Sequence, residues 1–302
     1  MTGVRTFDVA DWTAERLVEA KHGRTISLCI PCRNEAATVG PIVAAACDAL
    51  LDRVPLLDEV IVLDDRSTDD TAAVAAAAGA SVVPIDLVHA EHGAGDGKGN
   101  ALWATLQISF GDVVVWCDGD VTTFTPDWIV KLVAPLLLDE TVAIVKPVFE
   151  RPTDEGGGGR TTELVARPLL TLFEPELSRI AQPLAGECAI RRGMIERLPI
   201  VQGWGAEIAM ILDIAHEYGP AAIAQVELGE RRHRHQPLSA LAVQATEVMA
   251  TALERVQRRR IAGSPEPSVR AMPERPPASP PRVDGGPHAQ RLSVGGNIVD
   301  AQ

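Results

Sequence analysis

The chain is expected to fold as an α/β protein, a mostly parallel sheet flanked by helices. Three observations point there. Two strand–helix units follow one another between residues 25 and 78, an arrangement that favours parallel strands joined by right-handed crossovers. Val113-Val114-Val115-Trp116 is an unbroken apolar run, as in a strand buried on both faces. That run gives way to Asp118-Gly119-Asp120, which puts charge at the carboxyl end of a strand, where open α/β sheets bind ligands.

The N-terminal residues 1–23 contain a helix, Asp11 to Ala20, with Trp12, Leu17 and Val18 as its apolar contacts. A first strand, Thr25–Ile30, alternates and breaks at Pro31, and a helix follows from Thr38 to Leu51. Asp58–Leu63 is a second buried strand, and Thr68 or Asp69 caps the Ala-rich helix Thr71–Ala78 that Gly79 closes. Ser81–Ile85 is a short strand. Glu91–Asn100 is a Gly-rich loop carrying Lys98 and feeding a helix, Ala101–Ser109. A helix from Pro126 to Leu138 precedes the strand Thr141–Val148. Helices are expected at Glu163–Phe173, capped by Thr161 or Thr162, at Ile208–His216 and at Ser239–Arg260. Leu184–Ile190 reads as a turn leading into a strand, and Ala221–Leu228 as a strand. Beyond Gly263 come eight prolines and few apolar side chains, so residues 263–302 are expected to be disordered.

With 46% hydrophobic and 23% charged residues the chain reads as globular, and no apolar run reaches the roughly 20 residues of a membrane helix. The net charge of −13 divides into −17 before residue 255 and +4 after it, which argues against nucleic-acid binding. An anionic substrate then needs a metal or local Lys and Arg. Five scattered cysteines suggest reduced thiols and a cytoplasmic location; Cys29-Ile30-Pro31-Cys32 has redox spacing but closes a strand and lacks a second pair for zinc. No Gly-x-Gly-x-x-Gly follows the first strand, which argues against a dinucleotide fold, and the absence of a P-loop motif removes that reading.

Two carboxylates at i and i+2 share one side of a strand and repel each other unless a hard cation sits between them. A solvated turn accounts equally well for Asp118-Gly119-Asp120 alone. Lys98 lies between two glycines, where it can approach a diphosphate. Four glycines, Gly156–Gly159, read alone as a flexible linker, but Arg160-Thr161-Thr162 at the helix start favours an anion site. Trp204 between glycines suits stacking on a ring, and Glu207 suits hydroxyl recognition. His233, amid arginines, reads as a surface charge run unless folding brings it to Asp120.

From residue 24 to 256 these stretches resemble the glucosyl-3-phosphoglycerate synthases, retaining glycosyltransferases of the GT-A fold. The motifs that match are Pro31–Glu35, Asp58–Asp70, Gly97-Lys98-Gly99, Asp118-Gly119-Asp120, Gly158–Leu170, Leu184–Glu187, Gly203–Glu207 and Arg231–Arg234. The resemblance implies a Rossmann-like nucleotide-sugar-binding half (24–150) and a C-terminal acceptor-binding half with its final helix (151–262). Pro31, Cys32, Glu35, Asp65, Lys98, Asp118 and Gly119 would hold the nucleotide, and Leu184 and Glu207 would face the hexose. Asp120 and His233 would ligate Mg2+ or Mn2+, and Gly159, Arg160 and Thr162 would hold 3-phosphoglycerate. Asp120, Glu207 and Lys98 would serve catalysis. Three positions depart from the family: Asp65 and Gly119 replace serines, and Trp204 replaces a tyrosine. The implied reaction moves glucose from UDP-glucose to the 2-hydroxyl of D-3-phosphoglycerate by same-face attack, in a homodimer with no membrane anchor. A mannosyl transfer from GDP-mannose is the rival reading, and a sugar-phosphate nucleotidylyltransferase a more distant one.

Overall fold

The structure is a computed structural model that describes residues 3–150, 159–232, 237–260, 273–276 and 278. Its strands are β1 (Arg5–Thr6), β2 (Ile26–Cys32), β3 (Glu59–Asp64), β4 (Ser81–Pro84), β5 (Val113–Trp116), β6 (Ile144–Glu150), β7 (Cys188–Arg191), β8 (Ile200–Val201), β9 (Ile223–Glu230) and β10 (Glu274–Arg275). Its helices are α1 (Ala14–Ala20), α2 (Val39–Ala46), α3 (Thr71–Ala77), α4 (Ile85–His92), α5 (Gly97–Ile108), α6 (Pro126–Leu138), α7 (Arg167–Phe173), α8 (Arg192–Ile195), α9 (Ala206–Tyr218) and α10 (Leu238–Arg260). Wider π-helical turns extend α2 through Cys47–Arg53 and lead into α7 through Thr162–Ala166.

Eight strands form one sheet in the order β1-β9-β6-β7-β5-β2-β3-β4. Every pair is parallel except those that β7 makes with β5 and β6. The fold is GT-A. β5 shows why the sheet is buried on both sides: Val113 and Val115 enter one apolar layer with α2 and α6, while Val114 and Trp116 enter the other with α5 and α9. Trp116 Nε1 donates to Thr105 Oγ1 at 2.8 Å, so the one polar atom of this side chain is satisfied inside the core.

Several expectations need correction. β2 runs through Pro31 instead of ending before it. Cys117 N donates to Cys29 O, so Cys29 and Pro31 turn their backbone groups toward β5. β5 ends at Trp116, opposite Cys29, so the N–H that Pro31 lacks would have had no strand partner there. The expected loop at Glu91–Asn100 is mostly helix: α4 ends at His92 and α5 begins at Gly97, which puts Lys98 on a first helical turn. Glu163 N donates to Gly159 O, so Thr161 and Thr162 lie inside the first turn and do not cap it. The N-terminal segment adds an edge strand to its helix, β1 pairing parallel with β9. Disorder across 263–302 is corrected at Glu274–Arg275, which pair antiparallel with Val201 and Ile200.

The start of α5 touches the β8 turn backbone to backbone. A Cβ on Gly97 would lie 2.6 Å from Gly203 Cα, and one on Gly99 would lie 1.8 Å from Val201 O. Gly99→Ala is therefore expected to destabilise the protein by about 3 kcal/mol, because backbone must move to admit it. Gly193→Ala in α8, with nothing within 4 Å of the new methyl, should leave the urea midpoint unchanged or raised.

Candidate active site

The sheet order reverses around β2 and β5, and the carboxyl ends of these strands open a cleft of about 490 Å3. Pro31, Cys32 and Glu35 come from the end of β2, Asp65 from the end of β3, and Asp118, Gly119 and Asp120 from the end of β5. Lys98 and Ala101 of α5 and Trp204 form one wall. Gly159, Arg160, Thr161 and Thr162, at the start of the helix leading into α7, form another with Leu241 and Gln244 of α10.

The floor of the cleft is a buried ionic network centred on Asp118. Lys98 Nζ lies 2.9 Å from Asp118 Oδ1 and 2.9 Å from Glu207 Oε1. Arg231 Nη2 lies 2.9 Å from Asp118 Oδ2 and 2.7 Å from Glu187 Oε1. Burial opposes the charge of Lys98, but Asp118 and Glu207 outweigh it and hold the ammonium well above its ordinary pKa. Arg231 is held charged in the same way, burial being outweighed by Glu187 and Asp118. Glu187 is fully buried, and among the described residues its Oε2 has no hydrogen-bond partner.

Among the described residues Asp120 has no such cation to itself. Burial first, and then the negative charge of Asp118, push its carboxyl up to about 6. Asp65, 8% exposed, accepts from Arg66 Nε at 2.9 Å, and Arg66 Nη2 reaches Asp96 Oδ1 at 2.9 Å. Gly119 sits where a Cβ would meet Cys32 Sγ at 2.6 Å, so a larger residue here requires the Cys32 side chain to shift.

Of the residues singled out in the sequence, Pro31, Cys32, Glu35, Asp65, Lys98, Asp118, Gly119, Asp120, Gly159, Arg160, Thr162 and Leu184 all line this one cleft. Glu207 does not line it; its carboxylate is buried behind Lys98. His233 lies outside the described residues, as do Gly156–Gly158. Cys29 and Cys32 are free, buried thiols, and burial pushes both up, Cys29 to about 12, which suits neither redox nor metal chemistry. Sequence reasoning missed Arg231, placed in a surface charge run but only 5% exposed, and the role of Glu187 as its anchor. Leu241 and Gln244 were missed as well, since a helix far along the chain shows no sign of returning to the cleft.

A mostly parallel sheet with an acid-tipped strand at its switch point opens its cleft where α/β folds bind ligands, and the comparisons give the class: a metal-dependent glycosyltransferase. Residues 27–198 match the profile of Glycosyl transferase family 2. Glucosyl-3-phosphoglycerate synthase of Mycolicibacterium paratuberculosis is 43% identical over 260 residues, covering 83% of this chain and 78% of that protein. The Petrotoga mobilis synthase is 41% identical over 247 residues, covering 80% and 76%. The structure of the Mycobacterium tuberculosis synthase with Mn2+, UDP-glucose and phosphoglyceric acid superposes with a TM-score of 0.81 at 39% identity, covering 91% of this chain and 98% of that one. A second structure of that enzyme holds Mg2+ and UDP, with the same score and coverage. The chain belongs to glycosyl transferase family 2 and, within it, to the family of the glucosyl-3-phosphoglycerate synthases.

Among the described residues no three His, Cys, Asp or Glu side chains gather as a metal cage, and the candidate ligand for a divalent cation of that kind at the cleft is Asp120. Asp120 offers hard carboxylate oxygens that, among the described residues, lack a cation of their own, next to a surplus of negative charge. Stability gives a test independent of turnover. A carboxyl whose folded pKa is raised stabilises the fold while protonated; that stability is lost as pH rises through the folded value, near 6. In chelator, Asp120→Asn is expected to be more stable than the parent at pH 8, with the difference shrinking toward pH 4. Urea midpoints at the two pH values check it, and equal midpoints at pH 8 would contradict the assignment.

Proposed function

We propose that this chain transfers glucose from UDP-glucose to the 2-hydroxyl of D-3-phosphoglycerate with retention, giving glucosyl-3-phosphoglycerate. One observation carries the reading: a single cleft joins the Lys98–Asp118–Asp120 floor to the Gly159–Arg160–Thr162 helix start, a place for a diphosphate beside a place for a phosphorylated acid. Pro31, Glu35 and Asp65 wall the nucleotide, and Cys32 backs it beneath Gly119. Asp120, with His233 as the expected second ligand, would hold Mg2+ or Mn2+, which when bound supplies positive charge to the departing diphosphate. Lys98 adds its own charge there, and Glu207 and Asp118 keep it protonated and aimed.

Arg160 and the N–H groups of its helix start would grip the phosphate and carboxylate of the acceptor. Held so, the 2-hydroxyl meets the anomeric carbon on the face the diphosphate leaves. The bond from that carbon to the phosphate oxygen breaks as the bond to the glycerate oxygen forms. The hydroxyl proton passes to the departing phosphate, so no carboxylate nucleophile is needed. A homodimer is part of this reading; it would cover Leu164 and Leu172 beside Leu238 and Val243 of α10, all exposed large apolar side chains. Five buried free thiols suit a cytoplasmic setting.

Purified protein with Mn2+ and 3-phosphoglycerate is expected to release UDP from UDP-glucose, with far lower turnover of GDP-mannose; preference for GDP-mannose would overturn the donor assignment. Arg160→Ala is expected to raise the acceptor KM by ~30-fold, the loss of about 2 kcal/mol from a charge-assisted bond, and to leave the donor KM within twofold. Equal changes in both constants would refute the acceptor site.

A further inference from the structure

Past α10 the chain returns to the body at Pro273–Pro276 and adds β10 to the free side of β8. Gln202 N donates to Pro273 O at 3.0 Å, and Trp103 Nε1 donates to Pro276 O at 3.0 Å. The Arg275 side chain then reaches beneath the donor side of the cleft. Its Nε and Nη2 donate to Asn100 Oδ1 at 2.9 and 2.8 Å, Nη1 to His92 O at 3.0 Å, and Nη2 also to Gly93 O at 2.8 Å. The guanidinium lies 4.8 Å from the centroid of the Trp103 ring, and the residue is 6% exposed. One side chain thus closes the carboxyl end of α4, where carbonyls lack helical partners, and grips the first turn of α5.

The stretch between those grips, Gly93–Gly97, leads directly into Lys98. On its other side α5 presses Gly97 and Gly99 onto Gly203 and Val201, so β8 is held between α5 and β10. Asp96 N also donates to Gln202 Oε1 at 3.0 Å. β10 is itself tied to the helical layer: Arg255 Nε donates to both Asp213 oxygens at 3.0 Å. Its Nη2 lies 2.8 Å from Glu274 Oε1, an ion pair without hydrogen-bond alignment. Burying a guanidinium is costly unless its donors are met, and here carbonyl and amide oxygens meet them.

We propose that Pro273–Pro276 is a clamp on the donor side of the active site, with Arg275 as a positioning residue that fixes the Gly93–Asn100 turn and, through it, Lys98. Diphosphate contact by Lys98 rests on the nucleotide-sugar reading above; the mechanical role of the clamp does not. Without Arg275, the carbonyls at the end of α4 and the Asn100 amide lose their shared partner. The turn then samples more conformations, and Lys98 must be ordered at the moment of binding, which weakens donor use and leaves the acceptor pocket untouched.

The test uses the full chain carrying Arg275→Ala or Arg275→Lys, and Trp103→Phe, which removes the N–H that holds Pro276 O and trims the ring that the Arg275 guanidinium lies over. In Arg275→Ala, amides 93–100 are expected to exchange hydrogen about tenfold faster while amides 160–173 keep their rates. The UDP-glucose KM is expected to rise about fivefold to tenfold with the 3-phosphoglycerate KM within twofold, Arg275→Lys falling between, and Trp103→Phe moving the same way by less. Unchanged protection of 93–100, faster exchange across the whole fold, or equal shifts in both KM values would overturn the clamp. If the parent protein turned over no UDP-glucose, the substrate reading would fail while the exchange arm still decided the clamp.

Discussion

Both oxygens of Asp118 are spoken for, one by Lys98 and the other by Arg231, and the rest of the site depends on that double grip. Behind the two cations stand Glu207 and Glu187, each buried and each bonded to one of them. Asp120 is the fourth carboxylate of the group. Carboxylates outnumber the cations in this group. Burial first, and then the negative charge of Asp118, explain why Asp120 resists ionisation, and a divalent cation is the charge that would relieve it.

The network also explains how separate stretches of chain are brought to one point. Asp118 follows β5, Glu187 precedes β7, Arg231 follows β9, and Lys98 and Glu207 stand on the first turns of α5 and α9. Each group sits where a regular element begins or ends, so the sheet and its two flanking helices set the spacing, and the ions then hold the ends together. Removing one partner from such a buried pair leaves the other uncompensated, which costs several kcal/mol. Catalytic geometry and stability of the strand ends are therefore one constraint in this protein.

Much of this was legible in the chain because the signals are local. The apolar run Val113–Trp116 followed by acids announced both the central strand and the floor of the cleft, and Gly97-Lys98-Gly99 announced the cation above it. Arg231 was not legible: in a row of arginines its composition says solvent, and only β9, whose end places Arg231 N on Glu150 O, turns this one inward. Glu187 was hidden for the same reason, its partner being 44 residues away. β10 escaped because a Pro-rich stretch with little apolar surface gives no periodic pattern; it is held by the Arg275 guanidinium, the Arg255–Glu274 ion pair and a tryptophan N–H instead of by a hydrophobic face. The early start of α5 was masked by its glycines, which usually mark loops and here permit contact with β8.

The central claim is that the acidic surplus beside Asp118 exists to be completed by a divalent cation that carries the nucleotide. Calorimetric titration of UDP into the protein, with and without Mn2+, tests it most directly. Mn2+ is expected to tighten UDP binding at least about tenfold in the parent protein, or roughly 1.4 kcal/mol, and to do nothing in Asp120→Asn. UDP affinity that ignores Mn2+ in the parent, or that keeps its full Mn2+ dependence in the variant, would contradict the account.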